Sequence, residues 1–230
     1  MKIEFLNAWQ GRLAEPITRH LEQQASEIDV FCFQEASPRL QGICEDVLPD
    51  HTRVTARKRV LGKPRFQQAT YVHSEIELKG ISTILNEAEA GGFGLVVAVK
   101  SKTEPLLQIC NFHGVSQPGD KLDTPERILQ SQVIVDFFRQ QKEPSIIGGD
   151  FNAFPDTRSI VMLEEEGYQN LIKDYQIKST RNRLAWELYP DSKQHFADYV
   201  FASPEIEVVK FSVPEIEISD HLPMIVSFTI

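Results

Sequence analysis

The sequence predicts an α/β fold in which helices pack outside central sheets. Two features carry that expectation. Nine short apolar runs are spread along the chain, many of them almost continuously apolar, as strands covered on both faces are. Helical segments lie between them without the strict alternation of a doubly wound sheet. In chain order the runs are residues 3–6, 30–33, 69–72, 95–99, 107–112, 145–147, 199–202, 208–211 and 225–228. Helices are predicted over 16–27, 124–141 and 159–166, the last ended by Gly167. In the 124–141 segment Thr124 caps, Pro125 suits the first turn, and Ile128, Ile134, Val135, Phe137 and Phe138 form an apolar stripe. The stretches 57–66, 86–94, 114–123 and 178–196 read as loops, and loops this long in a compact domain are often functional.

Composition bounds the possibilities. With 230 residues and 41% hydrophobic content, the chain can bury a large core, and one domain over residues 1–230 is expected. Lys and Arg total 24 against 33 Asp and Glu, a net charge of −9 that repels polyanions and argues against non-specific duplex binding. The three cysteines form no CxxC pair; Cys32 and Cys110 sit in apolar runs where a buried thiol is the usual occupant, and an odd count fits a reducing compartment. Neither a signal peptide nor a membrane span is visible, so a cytoplasmic protein is expected, with no obligate protein partner evident.

Acids, amides and histidines recur where an apolar run stops. The run 30–33 leads into Gln34-Glu35, so a carboxylate emerges from an otherwise buried strand and must be paired, protonated or bound to a cation. The run 145–147 leads into Gly148-Gly149-Asp150-Phe151-Asn152; in an extended segment Asp150 and Asn152 would project to one side, with the glycines allowing close approach. Ser219-Asp220-His221 precedes the last run, placing a hard oxygen ligand beside a proton donor. Asp198 opens the run at 199 and is suited to fixing the tautomer of a histidine. His113 and Asn7 follow two further runs. Singly, each of these is a common turn or surface residue; the conjunction carries the weight.

That ordered set, Asn7, Glu35, His113, Asp150, Asn152, Asp198 and Asp220-His221, resembles the endonuclease/exonuclease/phosphatase superfamily, whose fold is like that of pancreatic deoxyribonuclease. The resemblance implies a four-layer α/β sandwich, two mixed sheets face to face with helices outside and the site at one end. It also implies Mg²⁺ or Mn²⁺ held mainly by Glu35 with help from Asn7 and Asp220. Hard carboxylate and amide oxygens with few thiolates independently favour these metals over zinc. The expected chemistry is in-line attack of water on phosphorus in a phosphoester substrate, nucleic acid included. Asp150 would orient or deprotonate the water, and Asn152 and Asn7 would bind phosphoryl oxygens. His221, oriented by Asp198, would add a hydrogen bond or proton, and His113 would stabilise the pentacoordinate state. Whether Asp150 or His221 is the base stays open here.

The substrate signal is thinner. A phosphodiesterase, with nucleases among the choices, competes with a hydrolase of small-molecule or lipid phosphoesters, and behind both stands a non-catalytic scaffold of the same fold. The branch that cleaves abasic DNA usually has an acid two residues after the asparagine, where this chain has Trp9. A basic stretch, Arg53, Arg57, Lys58, Arg59, Lys63 and Arg65, would grip phosphates if it bordered the site; otherwise it is a solvated edge. Arg181, Arg183 and Trp186 form a second candidate wall, and Gly91-Gly92-Phe93-Gly94 reads as a hairpin turn or flap.

Overall fold

The computed structural model describes residues 1–60, 63–87, 91–188, 190–191 and 193–230. Twelve strands are assigned: β1 (Lys2–Asn7), β2 (Val30–Gln34), β3 (His51–Val60), β4 (Lys63–His73), β5 (Glu77–Ile84), β6 (Phe93–Lys100), β7 (Leu106–His113), β8 (Ser145–Asp150), β9 (Gln169–Asn170), β10 (Asp198–Ala202), β11 (Glu207–Ser212) and β12 (Met224–Thr229). The helices are α1 (Ala14–Gln24), α2 (Pro38–Val47), α3 (Pro125–Arg139), α4 (Arg158–Glu165), α5 (Leu171–Asp174) and α6 (Arg183–Leu188). They build two six-stranded mixed sheets, ordered β11-β12-β1-β2-β4-β3 and β5-β6-β7-β8-β10-β9. Each has one parallel pair at its centre, β1 with β2 and β7 with β8.

Strand alternation explains the layering. In β1 and β2, Ile3, Phe5, Val30 and Cys32 face the second sheet in the main core, while Leu6, Phe31 and Phe33 turn outward onto Ile17, Leu21, Leu40 and Cys44 of α1 and α2. On the far side, Ile134, Val135 and Phe138 of α3 and Ile160 and Leu163 of α4 cover the second sheet. The predicted α/β sandwich is therefore present. All three cysteines are buried free thiols, and burial pushes the Cys44 thiol up to about 12.

Some expectations need correction. The 57–66 stretch is largely strand, because β3 and β4 pair in a long hairpin. Residues 61 and 62, like 88–90 of the 86–94 stretch, lie outside the described residues, and Phe93 and Gly94 already belong to β6. The apolar stripe of α3 begins later than predicted. Ile128 is 38% exposed, while Arg127 and Gln130 are buried because they serve the 114–123 loop. Arg127 donates to the carbonyls of Leu122 and Pro118, each at 2.5 Å, and the Val115 N–H donates to Gln130 Oε1 at 2.8 Å. A buried loop needs donors for its carbonyls, and that need outranks apolar patterning.

The glycines before Asp150 let the sheets close at the site end. Gly149 has φ +136°, and a Cβ there would sit 2.0 Å from the Phe112 carbonyl oxygen. Gly149→Ala is expected to cost about 3 kcal/mol from strain and overpacking. Thermal unfolding should then show Tm lower by roughly 6–12 °C; an unchanged Tm would contradict this packing.

Candidate active site

Register assembles the site. Across β7, β8 and β10, His113, Asp150 and Asp198 stand side by side. In the other sheet Asn7 stands beside Gln34, and Glu35 follows directly. Gln34 Nε2 donates to Asn111 Oδ1 at 2.7 Å, and Asn111 Nδ2 donates to the carbonyls of Phe33 and Ala69 at 3.1 Å, a buried brace between the sheets just below the site. Asn7 Nδ2 then donates to Asp150 Oδ2 at 2.9 Å, so the two sheets meet at the carboxylate.

Asp150 and Asn152 reach the cavity by a turn rather than by strand alternation. The Asn152 N–H donates to Asp150 Oδ1 at 3.0 Å, Asn152 has φ +54°, and the N–H groups of Phe151 and Asn152 both donate to the Ala197 carbonyl. Asx chemistry at the strand end replaces the extended geometry that the sequence suggests.

The C-terminal tripeptide closes the far side. Ser219 Oγ donates to the Asn7 carbonyl at 2.7 Å, tying the turn to β1. His221 Nδ1 lies 2.9 Å from both oxygens of Asp198, which fixes Nδ1 as the protonated nitrogen and aims Nε2 into the cavity. Nε2 is 3.8 Å from Asp150 Oδ2, and His113 Nε2 is 3.7 Å from the same oxygen. These spacings are too long for hydrogen bonds. His113 packs edge-on against Phe66, ring centroids 5.3 Å apart.

Charge follows geometry. Burial works to raise the Asp150 carboxyl, but His221, His113, Lys121 and Arg181 outweigh it and hold it down at about 2. Burial opposes protonation of His221, yet the Asp198 carboxylate, aided by Asp220 and Asp150, lifts it to about 8. Asp198 is itself raised, by burial and then by the nearby Asp150 charge, against the pull of His221. Both directions favour an ionised Asp150 facing a protonated His221.

The cavity, about 680 Å³, is lined by all of these except Asp198, which lies behind His221. Five of the seven non-glycine residues with positive φ among the described residues line it: Trp9, Gln10, Glu35, Lys121 and Asn152. Such conformations cost energy and gather where a site is over-determined by its surroundings. Lys121, Arg181 and Phe66 are also part of the lining. Of these, Lys121 was hidden in sequence because it lies in an irregular stretch with no periodic signal.

The two candidate substrate walls are corrected at particular residues. Arg53 of the basic stretch pairs with Glu45, and Lys58 is buried and donates to the carbonyls of Leu85 and Gly92. The side chains of Lys63 and Arg65 lie outside the described residues. Among the described residues of this hairpin, Phe66 alone lines the cavity. Trp186 Nε1 donates to the Gln194 carbonyl at 3.1 Å and its ring rests on His195, while Arg183 pairs with Glu217 and Glu187 on the surface. Arg181 alone of that trio enters the cavity, where it donates to Asp220 Oδ2 at 3.0 Å.

Two groups suit a cation. Asp150, Asp198 and His221 bring ligand atoms within 4.8 Å of one another, but His221 and Asp198 already satisfy each other. Glu35 is half-buried at the cavity wall, and its carboxylate receives one long hydrogen bond, 3.4 Å, from Gln10 Nε2. Among the described residues no lysine or arginine pairs with it. Asn7 Oδ1, in the same cavity, accepts only the Trp9 N–H among the described residues. Asp220 differs from the expected open ligand, since Arg181 already occupies Oδ2.

The endonuclease/exonuclease/phosphatase family model matches residues 6–221, from the first strand to His221. The chain belongs to this family. No curated protein sequence matches it. Among solved structures it is similar to an endonuclease/exonuclease/phosphatase family protein from Bacteroides thetaiotaomicron, with TM-score 0.80 and 18% identity over 99% of this chain and 97% of that one. It is also similar to the Bacteroides thetaiotaomicron mannosyl-6-phosphatase Bt3783, with TM-score 0.76 and 19% identity over 100% of each chain. A third, D. rerio TDP2 complexed with single strand DNA product, gives TM-score 0.74 and 14% identity over 100% of this chain and 99% of that one. At these identities the likeness is one of fold, and it extends the endonuclease/exonuclease/phosphatase architecture over the whole chain. No helix among the described residues is long and apolar enough to cross a membrane.

Proposed function

We propose that the protein is a divalent-metal-dependent phosphoester hydrolase in which water attacks phosphorus in line with the leaving oxygen. One observation carries the reading: Asp150 Oδ2 is held by Asn7 at 2.9 Å and faces two imidazole nitrogens at 3.7 and 3.8 Å, one of them on a histidine locked by Asp198. Family membership supports the same chemistry.

Each side chain has a role that its surroundings suit. Asp150, kept ionised, orients the attacking water and accepts its proton. His221, kept protonated by Asp198, donates to a phosphoryl or leaving oxygen, and His113 Nε2 faces the same space. This division favours Asp150 as the base and leaves His221 the acid. The second hydrogen of the Asn152 amide and the Asn7 amide bind phosphoryl oxygens. Glu35 would hold Mg²⁺ or Mn²⁺ with Asn7, and Asp220 would share its carboxylate between that ion and Arg181. Bound there, the ion offsets negative charge on the phosphoryl oxygens.

Within this class a small phosphoester is the second reading, and a specific contact favours it. Gln194 Nε2 donates to the Gly119 carbonyl at 2.6 Å, joining the two loops that flank the cavity. A walled cavity of about 680 Å³ is the size of a small-ligand pocket. Arg53 and Lys58 of the basic hairpin, two of the residues that would have extended a polyanion groove, are engaged by Glu45 and by the Leu85 carbonyl instead. The test is hydrolysis, with Mg²⁺ or Mn²⁺, of single-stranded and duplex DNA, RNA, sphingomyelin, inositol phosphates, sugar phosphates and nucleotide diesters. Cleavage confined to small esters supports the walled pocket; preference for duplex DNA, steeply salt-dependent, sinks it. Glu35→Gln should raise the Mg²⁺ concentration for half-maximal turnover about tenfold or more, since loss of even a supporting group costs that much. An unchanged metal titration would remove Glu35 from the metal site.

A further inference from the structure

We propose that Lys121 is a positioning residue of the phosphoryl site, fixing the amide of Asn152 so that Nδ2 serves the phosphoryl oxygens. The proposal rests on the hydrolase reading. Lys121 is only 4% exposed, yet its Nζ lies 2.5 Å from Asn152 Oδ1 at the cavity wall. An ammonium only donates, so it dictates which amide atom faces it. Oδ1 is thereby committed to Lys121, and Nδ2 is turned the other way, where one hydrogen meets the Gly114 carbonyl at 3.3 Å and the second is left for a ligand. Without the lysine, both amide orientations would be open, and one of them presents an acceptor to an anion.

The loop that delivers this ammonium is built to hold it still. Lys121 adopts φ +58°, and its carbonyl accepts the Phe154 N–H at 3.0 Å. Arg127, itself fully buried, holds the carbonyls of Ser116, Pro118 and Leu122. Two residues on, Asp123 accepts from the N–H groups of Arg158 and Ser159 and from Ser159 Oγ, which ties the loop to the start of α4. A buried ammonium whose acceptor is one neutral amide oxygen is costly to keep. The nearby charges of Asp150 and Asp198 offset part of that cost, and an anionic ligand would offset more.

The variants Lys121→Met, which keeps length and packing, and Lys121→Ala test this beside Asn152→Ala. With a phosphoester that the wild-type protein cleaves, either lysine variant should lose about 100-fold in kcat with KM changed less than about threefold, the scale of losing one oxyanion donor. In the Asn152→Ala background the further loss should be under about threefold, because Lys121 acts through that amide. Ethylamine should recover part of the Lys121→Ala loss and none of the Asn152→Ala loss. Additive losses, a loss in KM alone, or absence of amine rescue would overturn the proposal. Amide orientation is also readable without turnover, from the side-chain ¹⁵N–¹H resonances of Asn152. Their displacement in Lys121→Met is expected, and resonances identical to those of the wild type would overturn the proposal whether or not any substrate is found. Absence of hydrolysis by the wild-type protein, with the resonances displaced, would instead count against the hydrolase reading alone.

Discussion

Asp150→Ala is expected to lower turnover of any phosphoester the wild-type protein cleaves by about three orders of magnitude, at the upper end of what a positioned base and its electrostatics supply. The carboxylate is 2% exposed and is the point on which both sheets converge: Asn7 holds Oδ2, the Asn152 N–H holds Oδ1, and two histidines face it. Alanine removes the proton acceptor and also frees the amides of Asn7 and Asn152. The loss should therefore fall on kcat, with binding of inorganic phosphate retained or strengthened once a buried negative charge is gone. Asp150→Asn preserves volume and should lose nearly as much. Circular dichroism and Tm establish that the fold persists. A loss smaller than tenfold would mean that another group activates the water.

His221→Ala should cost roughly two to four orders of magnitude, in line with removal of an acid–base histidine. Its removal also strands Asp198, a carboxylate only 1% exposed. Breaking one side of a buried pair costs about 3–5 kcal/mol, so this variant should be clearly less stable. Asp198→Asn in the same chain removes the stranded charge. The double variant is expected to regain stability while losing no more turnover than His221→Ala alone, because Asp198 acts through the imidazole. Additive losses in turnover would separate Asp198 from His221 and assign it a role of its own.

How much of this was visible in sequence depends on distance along the chain. The central strands were legible because β2, β7, β8 and β10 are buried on both faces and read as apolar runs. β5 was not: it pairs with a single neighbour at the edge of its sheet, and its burial alternates without an apolar run. α2 was equally hidden, since Pro38 and Gly42 weaken its helical signal, although Ser37 caps it through the Leu40 N–H. In the site, His113, Asp150 and Asp198 were legible because each ends or opens a strand, and sheet register then sets them together; His221 was legible from its place just before β12, and Asp198 draws it in. Lys121 and the Gln34–Asn111 brace depend on side-chain contacts between segments 31 and 77 residues apart, for which local pattern carries no information. The Arg181–Asp220 pair has the same origin and alters the expected metal site by occupying one of its oxygens.

The central claim, that water attacks phosphorus under control of Asp150, is tested most directly by hydrolysis in ¹⁸O-enriched water. With Mg²⁺ or Mn²⁺ and a cleaved phosphoester from the panel above, the label should appear in the phosphorus-containing product and not in the released alcohol, and Asp150→Ala should slow its incorporation by about three orders of magnitude. Label in the alcohol, or incorporation by Asp150→Ala at close to the wild-type rate, would contradict the account.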